Sequence, residues 1–159
     1  MNLHDAYART IRSHGFEPDE AQLRAVASLE RVRRELLVAR RSRRMQSLIP
    51  GFTRSLLGRP APTPVRGVYL WGGVGRGKTF IMDLFFEHLP FDARLRQHFH
   101  RMMYRVHQRL RALGNRQDPL DTVADELAAK ARVICFDEFF VADIADAMLL
   151  GRLLEALFR

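Results

Sequence analysis

The stretch that most restricts how this chain can fold is "LWGGVGRGKTF", Leu70 to Phe80. Gly72, Gly77, Lys78 and Thr79 stand at G-x-x-x-x-G-K-[ST] spacing, with Gly73, Val74, Gly75 and Arg76 filling the four positions between. Backbone amides that all turn inward around one anion need conformations that a Cβ hinders, so glycine is the residue that permits such a loop. The run "GVYLW" in front (67–71) reads as a buried strand, and "KTFIMDLFFEHL" behind (78–89) as a helix whose N-terminal dipole faces the same anion. The expected ligand is the phosphate chain of a nucleotide. Amides of residues 72–77 would wrap it, Lys78 would reach the outer phosphates as a point charge, and the Thr79 hydroxyl would ligate magnesium.

A second segment, "VICFDE" (133–138), enters a carboxylate pair through four apolar residues. That pattern describes a buried strand delivering Asp137 and Glu138 at its C-terminal end, where α/β sheets place ligands. Asp137 is expected to hold the magnesium, directly or through water, and Glu138 to polarise the water that attacks the γ-phosphate. Lys78 and Glu138 are thus the expected catalytic groups, with ATP and Mg2+ as cofactors. A general-base glutamate favours hydrolysis over phosphoryl transfer to a small molecule.

The rest of the chain supplies the frame. Leu3, Tyr7 and Ile11 recur at helical spacing and Gly15 is a plausible stop; a second helix opens with Pro18 at its first position and runs to about Arg40. Between Met45 and Arg66, four prolines and two glycines replace the helical period. Beyond it, strand and helix alternate: a strand over 94–100, helices over 101–113 and 118–131, the strand 132–138 and a helix over 143–158 capped by Asp143. The expected fold class is α/β, with a parallel sheet of the P-loop NTPase type. The expected organisation is a helical N-terminal arm (1–44), a linker (45–66) and a nucleotide-binding domain (67–159).

Composition bounds the partners. No apolar run reaches the length of a membrane span, and the N-terminus lacks the apolar middle of a secretory signal, so a cytoplasmic location is expected. Cys135 is the only cysteine, which excludes an intrachain disulfide. The net charge is +8, of which "RVRRELLVARRSRR" (31–44) contributes +6 with seven arginines and one glutamate. Only Lys78 and Lys130 are lysines, so the arginine excess reflects general residue usage as much as a polyanion site. Without interleaved aromatics the cluster offers bases nothing to stack on, and nucleic acid is a disfavoured partner.

Weaker candidates carry plainer alternatives. Gln22 in "PDEAQLRAV" has the paired donor and acceptor that suit an adenine edge, and Phe16 could stack on the base; an exposed helical glutamine is the alternative. His98, His100 and His107 lack further ligands at zinc spacing, and a structural or nucleotide-sensing role suits them better. Arg101, Arg105 and Arg109 form a stripe that reads as a solvated helix face or a subunit contact.

"PVRGVYLWGGVGRGKTFIMDLF", "HFHRMMYRVH" and "CFDEFFVADIADAMLL" together resemble the ZapE family of bacterial cell-division ATPases and their mitochondrial AFG-type relatives, within the AAA+ superfamily. The match covers about Pro64 to the end, with a weaker echo in "PDEAQLRAVASLE". The resemblance implies an ATPase that works, as a homo-oligomer when complete, with FtsZ or another division-ring protein in bacteria and in protein quality control in mitochondria. It also implies a sheet ordered 5-1-4-3-2, whose fourth and fifth strands, sensor residue, arginine finger and helical lid would follow Arg159. The expectation is therefore the N-terminal portion of a longer protein, binding nucleotide weakly and turning over little as an isolated chain. Two other readings stand beside it: an ATP-switched adaptor or loader gripping nucleic acid through 31–44, and a catalytically incomplete fragment.

Overall fold

The computed structural model describes residues 2–47 and 64–158, with the helical stretch 40–47 described by its backbone alone. Most of the expected linker, 48–63, lies outside the described residues, as do the side chains of Arg40 to Arg44 in the arginine cluster. The chain forms two compact units, Met1–His88 and Leu89–Arg159.

The first unit holds α1 (Leu3–Ser13), α2 (Glu20–Ser47) and α3 (Lys78–Glu87). Asn2 starts α1 by accepting the Asp5 N–H, and Leu3, Ala6, Tyr7 and Ile11 form its buried stripe. Its end is a Schellman motif: Gly15 sits at φ +67°, its N–H donates to Arg12 O at 3.2 Å, and the Phe16 N–H donates to Ile11 O at 3.1 Å. The α2 boundaries differ from expectation. Pro18 stands outside the helix, because Asp19 takes the cap and accepts from Ala21 N at 2.8 Å and Gln22 N at 3.1 Å. At its other end α2 continues past Arg40 to Ser47.

Val26, Leu29 and Val32 of α2 and Ile81, Leu84 and Phe85 of α3 complete the buried apolar set of this unit among the described residues. Both α1 and α2 pack against α3. One charge is buried with them: Glu30, 8% exposed, accepts the Leu3 N–H at the start of α1 at 3.0 Å and a forked pair of bonds from Arg33, each 2.9 Å. A buried carboxylate is tolerable only when its lone pairs are satisfied, and here a helix terminus and a guanidinium both do so. Burial pushes the Glu30 pKa up, but the bonds from Arg33 and Leu3 outweigh it and the net direction is down from the ordinary 4.5.

The second unit is β1 (Arg94–His98), α4 (Phe99–Leu113), α5 (Pro119–Lys130), β2 (Val133–Asp137) and α6 (Ile144–Leu157). The two strands are parallel, from Arg94 opposite Val133 to His98 opposite Asp137, and α4 and α5 form the crossover that a parallel pair requires. Phe99, Met102, Met103 and Val106 of α4 meet Leu120, Val123 and Ala124 of α5 and Leu150 and Leu153 of α6 in one core. Burying each large side chain contributes roughly 1.5–3 kcal/mol. Pro119 opens α5, and Asp143 caps α6 by accepting the Ala145 N–H at 2.7 Å, as the sequence suggests.

Two expectations about the sheet are corrected. Residues 67–71 form no strand, with Tyr69 67% and Trp71 83% exposed; among the described residues the sheet is β1 and β2 only. A strand exists through its ladder, and apolar composition cannot make one without a neighbour beside it. For the same reason β2 is half-buried except at Cys135, since each strand of a two-stranded sheet has an open edge. The architecture is mixed helix and strand with a small parallel sheet.

Candidate functional site

The glycine-rich loop in the first unit bends as its sequence requires. Gly72, Gly75 and Gly77 have φ of +141°, +77° and +76°, a region that side chains enter at a cost, and Val74 is fully exposed between them. Gly77 is the cap residue of α3 and supplies no side chain to its first-turn amides. Lys78 folds back over the loop, its Nζ donating to Gly72 O at 2.8 Å and Gly73 O at 2.7 Å. The ammonium is thereby held above the loop before α3 begins its first turn. Thr79 is exposed one residue further on.

The loop is braced from α1 and α2. Gln22 donates from Nε2 to Arg76 O at 3.2 Å and accepts at Oε1 from the Tyr7 hydroxyl at 2.8 Å. The Tyr7 hydroxyl accepts the Asp19 N–H at 3.4 Å, and Asp19 pairs with Arg76 at 3.4 Å. Asp19 is held below its ordinary 3.8, chiefly by the Gln22 N–H, with the Ala21 N–H and Arg76 adding to the effect against a desolvation cost. The Tyr7 ring also lies 6.2 Å from that of Phe80 on α3. Gln22 thus gives one amide N–H and one Oε1 lone pair to protein groups, and Phe16, exposed, stacks on His14. Tyr7, Asp19 and Arg76 had no signal of their own in the sequence beyond sharing a helix face or a loop.

In the second unit β2 brings Asp137 to its C-terminal end. There its carboxylate takes the Arg96 guanidinium, Nε to Oδ2 at 2.9 Å and Nη2 to Oδ1 at 3.5 Å. Arg96 is the register partner of Cys135, so its side chain reaches one pair along the same sheet face. Sequence reasoning missed Arg96; only alternation on β1 relative to β2 could have suggested it. Glu138 is exposed and left-handed, with φ +52°. Its neighbours are both anchored, Asp137 by Arg96 and Phe139 by a ring contact of 4.7 Å with Phe99. A non-glycine residue stays in that conformation only where its surroundings hold it.

Three of the remaining candidates, His107, Arg109 and Arg105, find partners within their own unit. His107 Nε2 lies 2.6 Å from Asp146 Oδ1 and joins α4 to α6. Arg109 grips Glu126 with Nε and Nη2, and Arg105 donates to Gln97 Oε1 at 3.3 Å, so the stripe on α4 is partly neutralised within the unit. In the arginine cluster, Arg31 pairs with Glu35 and Arg33 with Glu30. No helix among the described residues is long and apolar enough to cross a membrane.

Comparison with known proteins places the chain in a family. The family model for AFG1-like ATPases matches residues 1–159. The cell division protein ZapE of Escherichia coli K12 is 46% identical over 96% of this chain and 41% of its own length. An uncharacterized Schizosaccharomyces pombe protein, C115.02c, is 44% identical over 69% of this chain and 25% of its own. Lactation elevated protein 1 homolog B of Danio rerio is 43% identical over 62% of this chain and 22% of its own. The chain thus spans well under half the length of these relatives, and no solved structure matches it. With the family model matching from the first residue to the last, the chain belongs to the AFG1-like ATPase family.

Proposed function

We propose that this chain carries the phosphate-binding and water-activating groups of a ZapE-type ATPase. The observation that carries the reading is Lys78, whose ammonium is fixed at 2.7 and 2.8 Å from two carbonyls of a loop that turns through three left-handed glycines into α3. Such a loop with a following helix N-terminus suits polyphosphate, and a threonine hydroxyl with an aspartate supplies the hard oxygen ligands that magnesium prefers. In this reading the amides of Gly72 to Gly77 and Lys78 hold the β- and γ-phosphates of ATP. By the motif reading Thr79 and Asp137 would be the Mg2+ ligands, and Glu138 would take the proton of the attacking water. When bound, the cation supplies charge neutralisation between the outer phosphates.

The domain division into arm, linker and ATPase domain and the cytoplasmic location belong to the same proposal. So does action as a homo-oligomer on a protein partner such as a division-ring protein; the name of the cell division protein ZapE supports only a part in cell division. The test is made on the intact protein. Lys78→Ala is expected to remove nucleotide binding, and Glu138→Gln to keep binding while turnover stops. Wild-type turnover in the Glu138 variant would remove the role assigned to it.

A further inference from the structure

Gln22 lies 54 residues before the carbonyl it contacts, and its side-chain amide bridges Tyr7 of α1 and the phosphate loop. Its amide orientation is set at both ends. The Tyr7 hydroxyl, itself accepting the Asp19 N–H, can donate only to Oε1, which leaves Nε2 to donate to Arg76 O. That carbonyl belongs to the peptide joining Arg76 to Gly77, and Gly77 is the left-handed residue from which α3 starts. The fit is close: a Cβ on Gly77 would come within 2.7 Å of Gln22 Nε2. Asp19 holds the Arg76 side chain from the same side. Gln22 of α2 and Asp19 before it thus hold the last peptide of the loop by its carbonyl and by its arginine, with Tyr7 of α1 behind Gln22.

We infer that Gln22 is a positioning residue for phosphate binding, aligning the Arg76–Gly77 peptide so that its N–H faces the anion, and that it does not read the adenine base. The carbonyl of a peptide points opposite to its N–H, so a donor that fixes the Arg76 carbonyl also fixes where the Gly77 N–H aims. Tyr7 acts through Gln22. The inference rests on the phosphate reading of the loop given above.

Inorganic tripolyphosphate, which has no base, separates the possibilities. In the intact protein, Gln22→Met keeps side-chain volume and loses both hydrogen bonds. It is expected to weaken ATP, GTP and tripolyphosphate alike by about five- to tenfold, the worth of one aligned hydrogen bond. Tyr7→Phe should weaken all three by a smaller common factor. Amide hydrogen exchange of the nucleotide-free variants should rise at Gly77 and Lys78 while the melting transition stays in place. Loss of ATP affinity with tripolyphosphate binding unchanged would overturn the inference in favour of base reading. Wild-type affinity for all three in Gln22→Met would overturn it outright, and so would a rescue by methionine of an affinity lost in Gln22→Ala, since packing would then be its role. Lys78→Ala serves as the control: if that variant still binds tripolyphosphate normally, the phosphate reading itself fails, independently of Gln22.

Discussion

Arg96 on β1 holds the carboxylate of Asp137 at the end of β2, Nε to Oδ2, at 2.9 Å. Both side chains are partly withdrawn from water, with 29% and 16% of their surface exposed. The pair therefore falls between a surface bridge, worth little, and a buried one whose disruption leaves an uncompensated charge.

Replacing Arg96 by alanine should destabilise the protein by about 1–2 kcal/mol, because Asp137 loses its counter-charge at the tip of a two-stranded sheet. Arg96→Lys should recover only part of that, since a point charge cannot reproduce the two-pronged contact. Urea unfolding measures both, and an unchanged midpoint in Arg96→Ala would show that solvent already screens the pair. Added magnesium should narrow the gap between wild type and Arg96→Ala if Asp137 is a metal ligand.

Glu138 has the opposite relation to stability. Its φ of +52° is a conformation glycine adopts freely, so Glu138→Gly is expected to raise stability by about 0.5–1 kcal/mol, net of the extra freedom glycine gives the unfolded chain. The same change should abolish ATP turnover under the proposed mechanism. A stabilised, inactive variant is the signature of strain retained for function; a destabilised one would mean that the Glu138 side chain makes contacts worth more than the strain.

Glu30 makes stability depend on acid. Its folded pKa lies below the ordinary 4.5, so its contribution is fully present above 4.5 and is lost as pH falls through the depressed folded value. Glu30→Gln should destabilise the protein near neutral pH by about 1–3 kcal/mol, because a buried charge-assisted network loses its charge. The difference between variant and wild type should shrink below pH 4.5. Chemical unfolding of both proteins across that window is the measurement, and a constant difference would contradict the linkage.

Cys135 is buried on β2, and desolvation raises its thiol pKa to about 11, with Asp137 adding to the rise and Arg96 opposing it. Almost no thiolate exists near neutral pH, so alkylating reagents should label it slowly in the native protein and readily in denaturant. Rapid native labelling would show that β2 opens without global unfolding.

Much of this molecule could be read locally. The glycine loop, the Asp137–Glu138 pair and most helix boundaries depend on neighbours a few residues apart, through backbone freedom, side-chain caps and the period of apolar positions. Asp143 and Pro119 do what their residue types do at helix starts. Asp19 shows the limit of such reading: both Pro18 and Asp19 suit a helix N-terminus, and the carboxylate's bonds to Ala21 and Gln22 decided between them.

What the sequence determined by itself is family membership and the left-handed turns of the glycine loop, because each is written in contiguous residues. Tertiary structure alone decided that Gln22 turns to Arg76 O, that Arg96 faces Asp137 and that Glu30 caps α1. It also decided that 67–71 is no strand among the described residues. The physical reason is common to all four. A hydrogen bond, an ion pair or a ladder needs a partner brought near by the packing of elements distant in sequence, and residue type states only what a side chain can accept or donate, never which partner arrives.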